Sequence, residues 1–463
     1  MRVSASDRQI LADCATVVAL GAVARWGWDA VAAARTWHPD MMSDGLPLYL
    51  GALTVRRGAD PTVADALAQT YAALGLGAQA HMFSTLYPAS TAALLDPVVS
   101  ADWATFTFGW RVALLVAAVV AGALGAASGV APRRWLLAGA LGAVATTVAF
   151  PTALTCARLG QVNQLLAAGA GISMFAASLG FGGVAVGGLV LGGGLKLVPV
   201  MAAWPFVTAL RGRALLAGAA TGLGVLALTA THVPLARAVD GVLHTLRFQS
   251  GTSARMSAGL GPAEPAWMSL LVDARHHPLA VLTVAIAGLA GWRSRAGAGV
   301  QPLVGAVALV FAWLGADAAA QHELYLPLLL AALGWAITWP LAEGASRWSL
   351  LGTAALVAAL VLFPRGDTPA TFRSVVFGEV VWGVTAARVL AACGGLPRRE
   401  QIVLALAGLL ALGLAAKPLV VPRELPPEVT PRGGPRAPGG VPPGSDTPGG
   451  RHTPSVPGSV PGR

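Results

Sequence analysis

The sequence predicts an all-α polytopic membrane protein whose chain crosses the bilayer about 12 to 13 times, one crossing for each long apolar block. Apolar residues make up 55% of the 463-residue chain and charged residues only 11%, whereas soluble domains carry about 25% charged residues. The apolar blocks are roughly 20 residues long, which is the length at which a helix spans a hydrocarbon core. Because a helix satisfies its own backbone polar groups in lipid, we interpret these blocks as membrane helices.

The chain divides into a membrane domain, residues 1–421, and a tail, residues 422–463. The tail contains 12 Pro and 9 Gly, a composition that cannot bury enough apolar surface to offset the entropy of ordering, so we predict that it is disordered. The predicted spans of the membrane domain cover residues 10–34, 83–99, 106–130, 135–153, 163–180, 183–208, 214–231, 278–292, 299–319, 322–340, 347–363, 374–393 and 401–421.

The first span follows Arg2 and Arg8 and ends near Val31-Ala-Ala-Ala, which resembles a signal-peptidase site. We favour a retained anchor, because the segment is long and the helices after it need an anchor of the same orientation; a cleaved signal is the alternative.

The basic residues predict orientation rather than nucleic-acid binding. The net charge is +10, but the arginines lie in short clusters between apolar blocks, and no basic face alternates with aromatic residues. Short basic loops stay in the cytoplasm. Three clusters can share that side: 211–213, 293–295 and 398–399.

This orientation puts the two long polar loops, 35–82 and 232–277, outside. The pair Arg133–Arg134 does not fit this orientation, because counting the membrane crossings from the three basic clusters places it outside as well. It would move inside if 83–99 were re-entrant and if the block ending at Leu210 broke at Pro199 and turned back. The sequence leaves both topologies open.

The first outer loop carries two carboxylates, Asp40 and Asp44, in the run His38–Tyr49. A carboxylate at the outer membrane surface can act as a base on a hydroxyl group of a substrate that a lipid carries. Asp44 directly precedes Gly-Leu-Pro-Leu-Tyr49, and the apolar spacing after it predicts a helix along the membrane interface. On position alone, solvated loop charges are the favoured interpretation of both acids.

The most informative motif is Gly160-Gln161-Val-Asn163, which Lys196-Leu-Val-Pro199 follows 33 residues later. A lysine at a helix centre costs about 2.5–3.5 kcal/mol to insert, so such a residue normally faces a polar cavity or a partner. The chain has only one other lysine, Lys417. We therefore expect Lys196 to line a cavity, with snorkelling to the interface as the alternative.

Taken together, the Asp-then-Pro-Leu-Tyr loop, the Tyr87-Pro88 helix start and the two motifs above resemble glycosyltransferase family 87. That family belongs to the C-type superfamily, whose members use polyprenyl-phosphate sugars, and the resemblance covers residues 1–345. Asp44 lies five residues before Tyr49, whereas in the family the acid commonly lies four residues before the aromatic residue. Asp40 therefore remains an alternative base.

The resemblance implies a C-type bundle with an active site at the extracytoplasmic face and Asp44 as the catalytic base. It also implies a set of substrate-binding residues, among which His322 would contact the donor phosphate or sugar, oriented by Glu323. These residues are Tyr49, Gln161, Asn163, Lys196, Arg247, His322 and Tyr325.

The predicted function is therefore transfer of a hexose, with mannose favoured, from a polyprenyl-phosphate donor to a lipid or glycan acceptor at the plasma membrane. Arabinofuranose is a close variant of the sugar. We expect no metal and no cofactor, and the expected partners are the donor, the acceptor and membrane lipids. A transporter or flippase of lipid-linked saccharides and a non-catalytic scaffold are the rival hypotheses.

Overall fold

A computed structural model describes most of residues 1–421. The described residues are 5–73, 87–99, 102–147, 152–247, 278–319, 323–343, 347–362, 372–395 and 398–415. All regular structure among them is helical, which agrees with the predicted all-α class. The tail, 422–463, lies outside the described residues.

Nineteen α-helices occur in the described residues. The first ten are α1 Ala5–Thr36, α2 Leu46–Arg56, α3 Ala64–Ala73, α4 Ala89–Leu95, α5 Trp103–Ser128, α6 Trp135–Thr147, α7 Thr152–Leu159, α8 Asn163–Ser178, α9 Gly182–Leu195 and α10 Trp204–Thr208. The others are α11 Gly212–Ala230, α12 Leu235–Arg247, α13 Pro278–Arg295, α14 Gln301–Ala319, α15 Leu330–Thr338, α16 Pro340–Glu343, α17 Arg347–Leu362, α18 Phe372–Ala392 and α19 Arg398–Ala415.

Only some of these helices are long and apolar enough to cross a membrane on their own. Three described helices qualify, namely Gln9–Thr36, Trp103–Ser128 and Gly212–Ala230, and a fourth candidate is the bent pair formed by Pro132–Thr147 and Thr152–Leu159. The remaining apolar helices are shorter. The coarse prediction of an all-α protein with candidate membrane spans is therefore confirmed, and the candidate spans number three or four among the described helices.

Two predicted spans are divided. The block 183–208 is broken, because α9 ends at Leu195 and the chain continues in a 3-10 helix, Val198–Ala203, that contains Pro199. Within the block 83–99, the described part contains only the seven-residue α4 and a 3-10 turn. Seven residues rise about 10 Å in a helix, far less than a bilayer core. A break within 183–208 is what the second of the two topologies requires, and the course of the chain through the membrane stays a prediction.

Glycines set the closest helix crossings in the core. A Cβ on Gly125 of α5 would lie 2.2 Å from the carbonyl oxygen of Ala331 in α15, and one on Gly334 would lie 2.4 Å from that of Gly122. Small residues allow such close approach, which is the usual packing mode of membrane helices.

Helices α9 and α11 run parallel. A Cβ on Gly182 would touch Ala214 near their starts, and one on Gly194 would touch Val225 near their ends. Parallel neighbours require the chain between them to travel back, and this is what the broken segment 198–208 does.

Several arginines lie at one end of the bundle, which we call the arginine end. Arg293 at the end of α13 donates to the carbonyl of Cys393 after α18, and Gln301 at the start of α14 donates to that of Ser128 at the end of α5. Arg134 donates to the carbonyl of Leu341.

The opposite end carries Asp44 and Gln161, and we call it the carboxylate end. The two long polar loops meet there, because the Arg237 Nη1 donates to the Asp60 Oδ2 at 2.9 Å. Burial alone would raise the pKa of Asp60, but hydrogen bonds from Thr62 and Arg237 outweigh it and hold this pKa below its usual range.

Candidate functional site

The amide of Gln161 binds the carboxylate of Asp44. Its Nε2 donates to the Asp44 Oδ2 at 2.6 Å across 117 residues of sequence. The backbone adds to this contact, since the N–H groups of Asp44 and Gly45 both donate to the carbonyl of Leu159, at 3.0 and 3.2 Å. The loop that carries the predicted base is thus joined to the turn that carries the predicted amide.

A glycine is required at position 160 for this contact. Gly160 has a φ of +82°, a conformation that residues with a side chain rarely adopt. A Cβ there would also lie 2.9 Å from both the N and the Cα atoms of Gly45. The first residue of the Gly-Gln-x-Asn motif therefore serves the approach of the two chain segments.

Asn163 supports the Gln161 amide. Asn163 is buried at the start of α8, and its Nδ2 lies 3.5 Å from the Gln161 Oε1. An amide that donates its NH₂ to a carboxylate directs its oxygen toward a donor on the other side. The two polar residues of the motif thus act in series on Asp44.

A buried arginine holds the same two segments together. The Arg111 side chain is 1% exposed, and its guanidinium donates to the carbonyls of Trp37 and His38 at 2.9 Å and of Arg158 at 3.3 Å. The neighbouring Trp110 donates its indole N–H to the Gly160 carbonyl at 3.0 Å.

The sequence interpretation did not include Arg111. The signal was nevertheless present, because it is the only charged residue in the predicted span 106–130, and ionisable residues inside such spans are usually functional or paired. Its structural partners are backbone carbonyls, which have no sequence signature.

Tyr87 is buried just before α4, within electrostatic range of both Asp44 and Tyr325. The sequence interpretation used Tyr87 only as part of the family resemblance and not as a site residue.

Lys196 lies at a helix end rather than within a continuous helix, which corrects the expectation of a lysine deep in an apolar block. Its backbone is extended at the C-terminus of α9, its residue exposure is 8%, and its Nζ lies 4.4 Å from the centroid of the Tyr325 ring. An ammonium at this distance from an aromatic face is attracted by the ring.

The break before Lys196 is held by α4. The hydroxyl of Ser90 donates to the Gly194 carbonyl at 2.7 Å, and that of Thr91 donates to the Leu195 carbonyl at 2.8 Å. The last carbonyls of a helix have no intrahelical partner, so these hydroxyls stabilise the end of α9 and thereby the position of Lys196.

Tyr49 takes a different position from the one the resemblance suggested. It is fully buried, and its ring centroid lies 4.8 Å from that of Trp103 and 5.0 Å from that of Phe106. Burial, followed by Asp102, raises the pKa of its hydroxyl. The spacing had predicted that helix α2 lies along the membrane interface. The helix is instead buried from Pro47 to Val55, so this prediction is wrong.

Three further candidates cannot be placed in the same way. His322 lies outside the described residues, and so do the side chains of Arg247 and of Asp40, although their backbones belong to α12 and to the 3-10 helix Pro39–Met41. The site that the structure brings together consists of Asp44, Gln161, Asn163, Lys196 and Tyr325, with Tyr87 and Arg111 added.

Comparison with known proteins yields no match: no family model, no curated protein and no solved structure is significantly similar to this chain. The chemistry of the site therefore carries the functional argument. A half-buried carboxylate oriented by an amide is suited to accept a proton, and a lysine on an aromatic ring is suited to bind an anion or a sugar.

Proposed function

We propose that the chain is an integral membrane glycosyltransferase that moves a hexose from a polyprenyl phosphate to a lipid or glycan acceptor. The observation that carries this proposal is the bond between Gln161 and Asp44. These residues belong to two motifs that the sequence analysis paired on family resemblance alone, and their contact across 117 residues supports that pairing.

We also propose that the bundle crosses the membrane about 12 to 13 times, with the shorter apolar helices completing the crossings, each supported by neighbours rather than by its own length. The carboxylate end would face the outside. The arginine end would face the cytoplasm, in keeping with the bias of arginine toward cytoplasmic loops.

In the proposed reaction Asp44 accepts the proton of the acceptor hydroxyl as its oxygen attacks the anomeric carbon of the sugar. The bond between that carbon and the phosphate oxygen breaks, and the polyprenyl phosphate leaves with the bonding electrons. The proton transfer is worth about 10²–10⁴-fold in rate. The phosphate leaves as an anion, so it needs a cation such as Lys196 and no proton donor.

Asp44→Asn tests the role of the base, because it keeps the size and the hydrogen-bonding capacity but cannot take up the proton. In membranes supplied with a radiolabelled polyprenyl-phosphate mannose, transfer should fall by at least about 10²-fold while donor binding changes little. Asp65→Asn is the matched control, since Asp65 is an exposed carboxylate on α3 of the same loop.

Gln161→Leu tests the orientation of the carboxylate. Transfer should fall by roughly 10- to 100-fold, because loss of a single oriented hydrogen bond to a charged group costs about 1.5–3 kcal/mol. Gln9→Leu removes a comparable bond to Asp13 on an exposed part of α1 and should have no effect. Full transfer in Asp44→Asn, or translocation of the donor without transfer, would contradict the enzyme and favour a flippase.

A further inference from the structure

Helix α1 packs against the rest of the bundle along one face only. Among its described residues, those that are buried lie within about 60° of one another around the helix axis; they are Thr16, Ala19, Ala30 and Ala34. On the opposite side, Val18 and Trp28 are 71% and 75% exposed. Because α1 is also long and apolar enough to span a membrane, this exposed side faces lipid in a single embedded chain.

The exposed side of α1 carries an ion pair. The Arg25 Nε donates to the Asp29 Oδ2 at 2.8 Å, and the two side chains are 78% and 54% exposed. The candidate span Gln9–Thr36 has 28 residues, which makes it about 42 Å long, whereas a hydrocarbon core is about 30 Å thick. Arg25 lies about 24 Å from the start of the span, so it is inside the core wherever the core falls along the helix.

The exposed positions around this pair have the spacing of a helix-packing seam. Starting at Cys14, exposed residues are separated alternately by four and three positions, and we call this set the α1 seam: residues 14, 18, 21, 25, 28 and 32. Two helices pack side by side along a seam with this repeat. A Cβ on Gly21, in the middle of the seam, would have nothing within 4 Å, so a second helix can approach closely there.

We propose that the α1 seam binds the α1 seam of a second copy of this chain, with the two helices parallel in the membrane. Charged side chains inside a bilayer normally face a polar partner, and the ion pair is complementary to itself. A twofold interface brings residue i of one copy to residue j of the other and j to i. Each Arg25 therefore lies within reach of the Asp29 of the other copy, and no further chain is required to cover the two charges.

This interface rests on the proposed membrane embedding of α1 and not on glycosyl transfer. Disulfide cross-linking in membranes tests it, because Cys14 belongs to the seam and is exposed, whereas Cys156 and Cys393 are buried. Oxidation of the full chain with copper phenanthroline should give a covalent dimer, and Cys14→Ser should stay monomeric. The matched control moves the thiol out of the seam by combining Cys14→Ser with Ala15→Cys, at an exposed position about 100° around the helix, and should give little dimer.

Arg25→Met tests the ion pair. The variant should fold normally, because the only partner of Arg25 among the described residues is Asp29, but its association should weaken by at least about fivefold, the lower end of the effect of polar contacts between membrane helices. Arg25→Asp combined with Asp29→Arg keeps the complementarity and should restore the dimer.

Three results would overturn the proposal. The first is wild-type cross-linking by Arg25→Met, and the second is equal cross-linking through positions 14 and 15. The third is a wild-type chain that stays monomeric under oxidation, whether it retains α1 or begins after it; the ion pair would then need no second copy.

Discussion

Gly160 and Gly45 pack backbone against backbone, with no room between them for even a methyl group. This approach joins the turn before Gln161 to the loop after Asp44. It makes the relative position of the amide and the carboxylate depend on two residues that have no side chain.

Gly160→Ala should therefore destabilise the protein and abolish the proposed activity. A left-handed residue with a side chain costs about 1–2 kcal/mol, and the contact with Gly45 adds a steric clash. Thermal unfolding and transfer assays measure the two effects. Gly58→Ala is the matched control, because Gly58 has a similar φ of +72° but open space around it. Equal effects of the two substitutions would show that the contact with Gly45 is unimportant.

Lys196→Met should weaken donor binding without unfolding the protein. The substitution removes the ammonium that lies over the Tyr325 ring and leaves an unbranched side chain of similar length. Binding of a polyprenyl-phosphate sugar to the purified protein provides the measurement. Lys417→Met, at the only other lysine, should bind normally. Normal binding by Lys196→Met would make the residue structural.

Arg111→Met should lower the free energy of unfolding more than most surface substitutions. It removes the guanidinium that donates to the part-buried carbonyls of Trp37, His38 and Arg158, and the loss of a hydrogen bond to a charged group costs about 1.5–3 kcal/mol. Protease cleavage within residues 37–45 should rise at the same time. Arg25→Met removes an exposed pair with Asp29 and should change stability little. Equal stability of the two variants would exclude a role for Arg111 in joining the loop to the turn.

Acidification should separate the two long polar loops, 35–82 and 232–277. The pKa of Asp60 is lower in the folded protein than its usual value of 3.8, so its contribution is fully present above that value and is lost as the pH falls through the folded value. Spin labels on Gln69→Cys and Ala236→Cys, in a background with the exposed Cys14 replaced, should move apart only as the pH falls below 3.8, the usual value of this carboxyl. With Asp60→Asn the distance should not depend on pH, and a pH-independent distance in both proteins would exclude this contact as the link.

The topology predicts opposite labelling at the two ends. An impermeant thiol reagent should modify Ala236→Cys on α12 in intact cells and Ala296→Cys after α13 only after permeabilisation, because the arginine end should face the cytoplasm. The reverse pattern would invert the orientation and place Asp44 inside.

Much of the fold class was predictable, because apolar composition and block length depend only on sequence. The division of residues 183–208 was predictable only as an alternative, since Pro199 does not break every helix in which it occurs. The break at the end of α9 is also stabilised by the hydroxyls of Ser90 and Thr91, which lie about 100 residues earlier in the chain. Such long-range capping leaves no local pattern.

The candidate site was predictable to a similar degree. Asp44, Gln161 and Asn163 were named from motifs, and the structure brings them into one network. Tyr49 was assigned through the family resemblance, but side chains on a helix diverge with each residue, and its ring packs among aromatic residues of α5. Arg111 was missed because its contacts are to backbone atoms.

The end of α9 at Lys196 also has a consequence for biogenesis. The residues that surround it arrive from separate parts of the chain: Thr91 caps the helix before it, and Tyr325 lies over its ammonium. In the proposed membrane topology, Lys196 therefore enters the bilayer region during synthesis long before Tyr325 has been made. Until then its charge needs water or a temporary partner, so slower synthesis of the segments after it should lower the yield of folded protein.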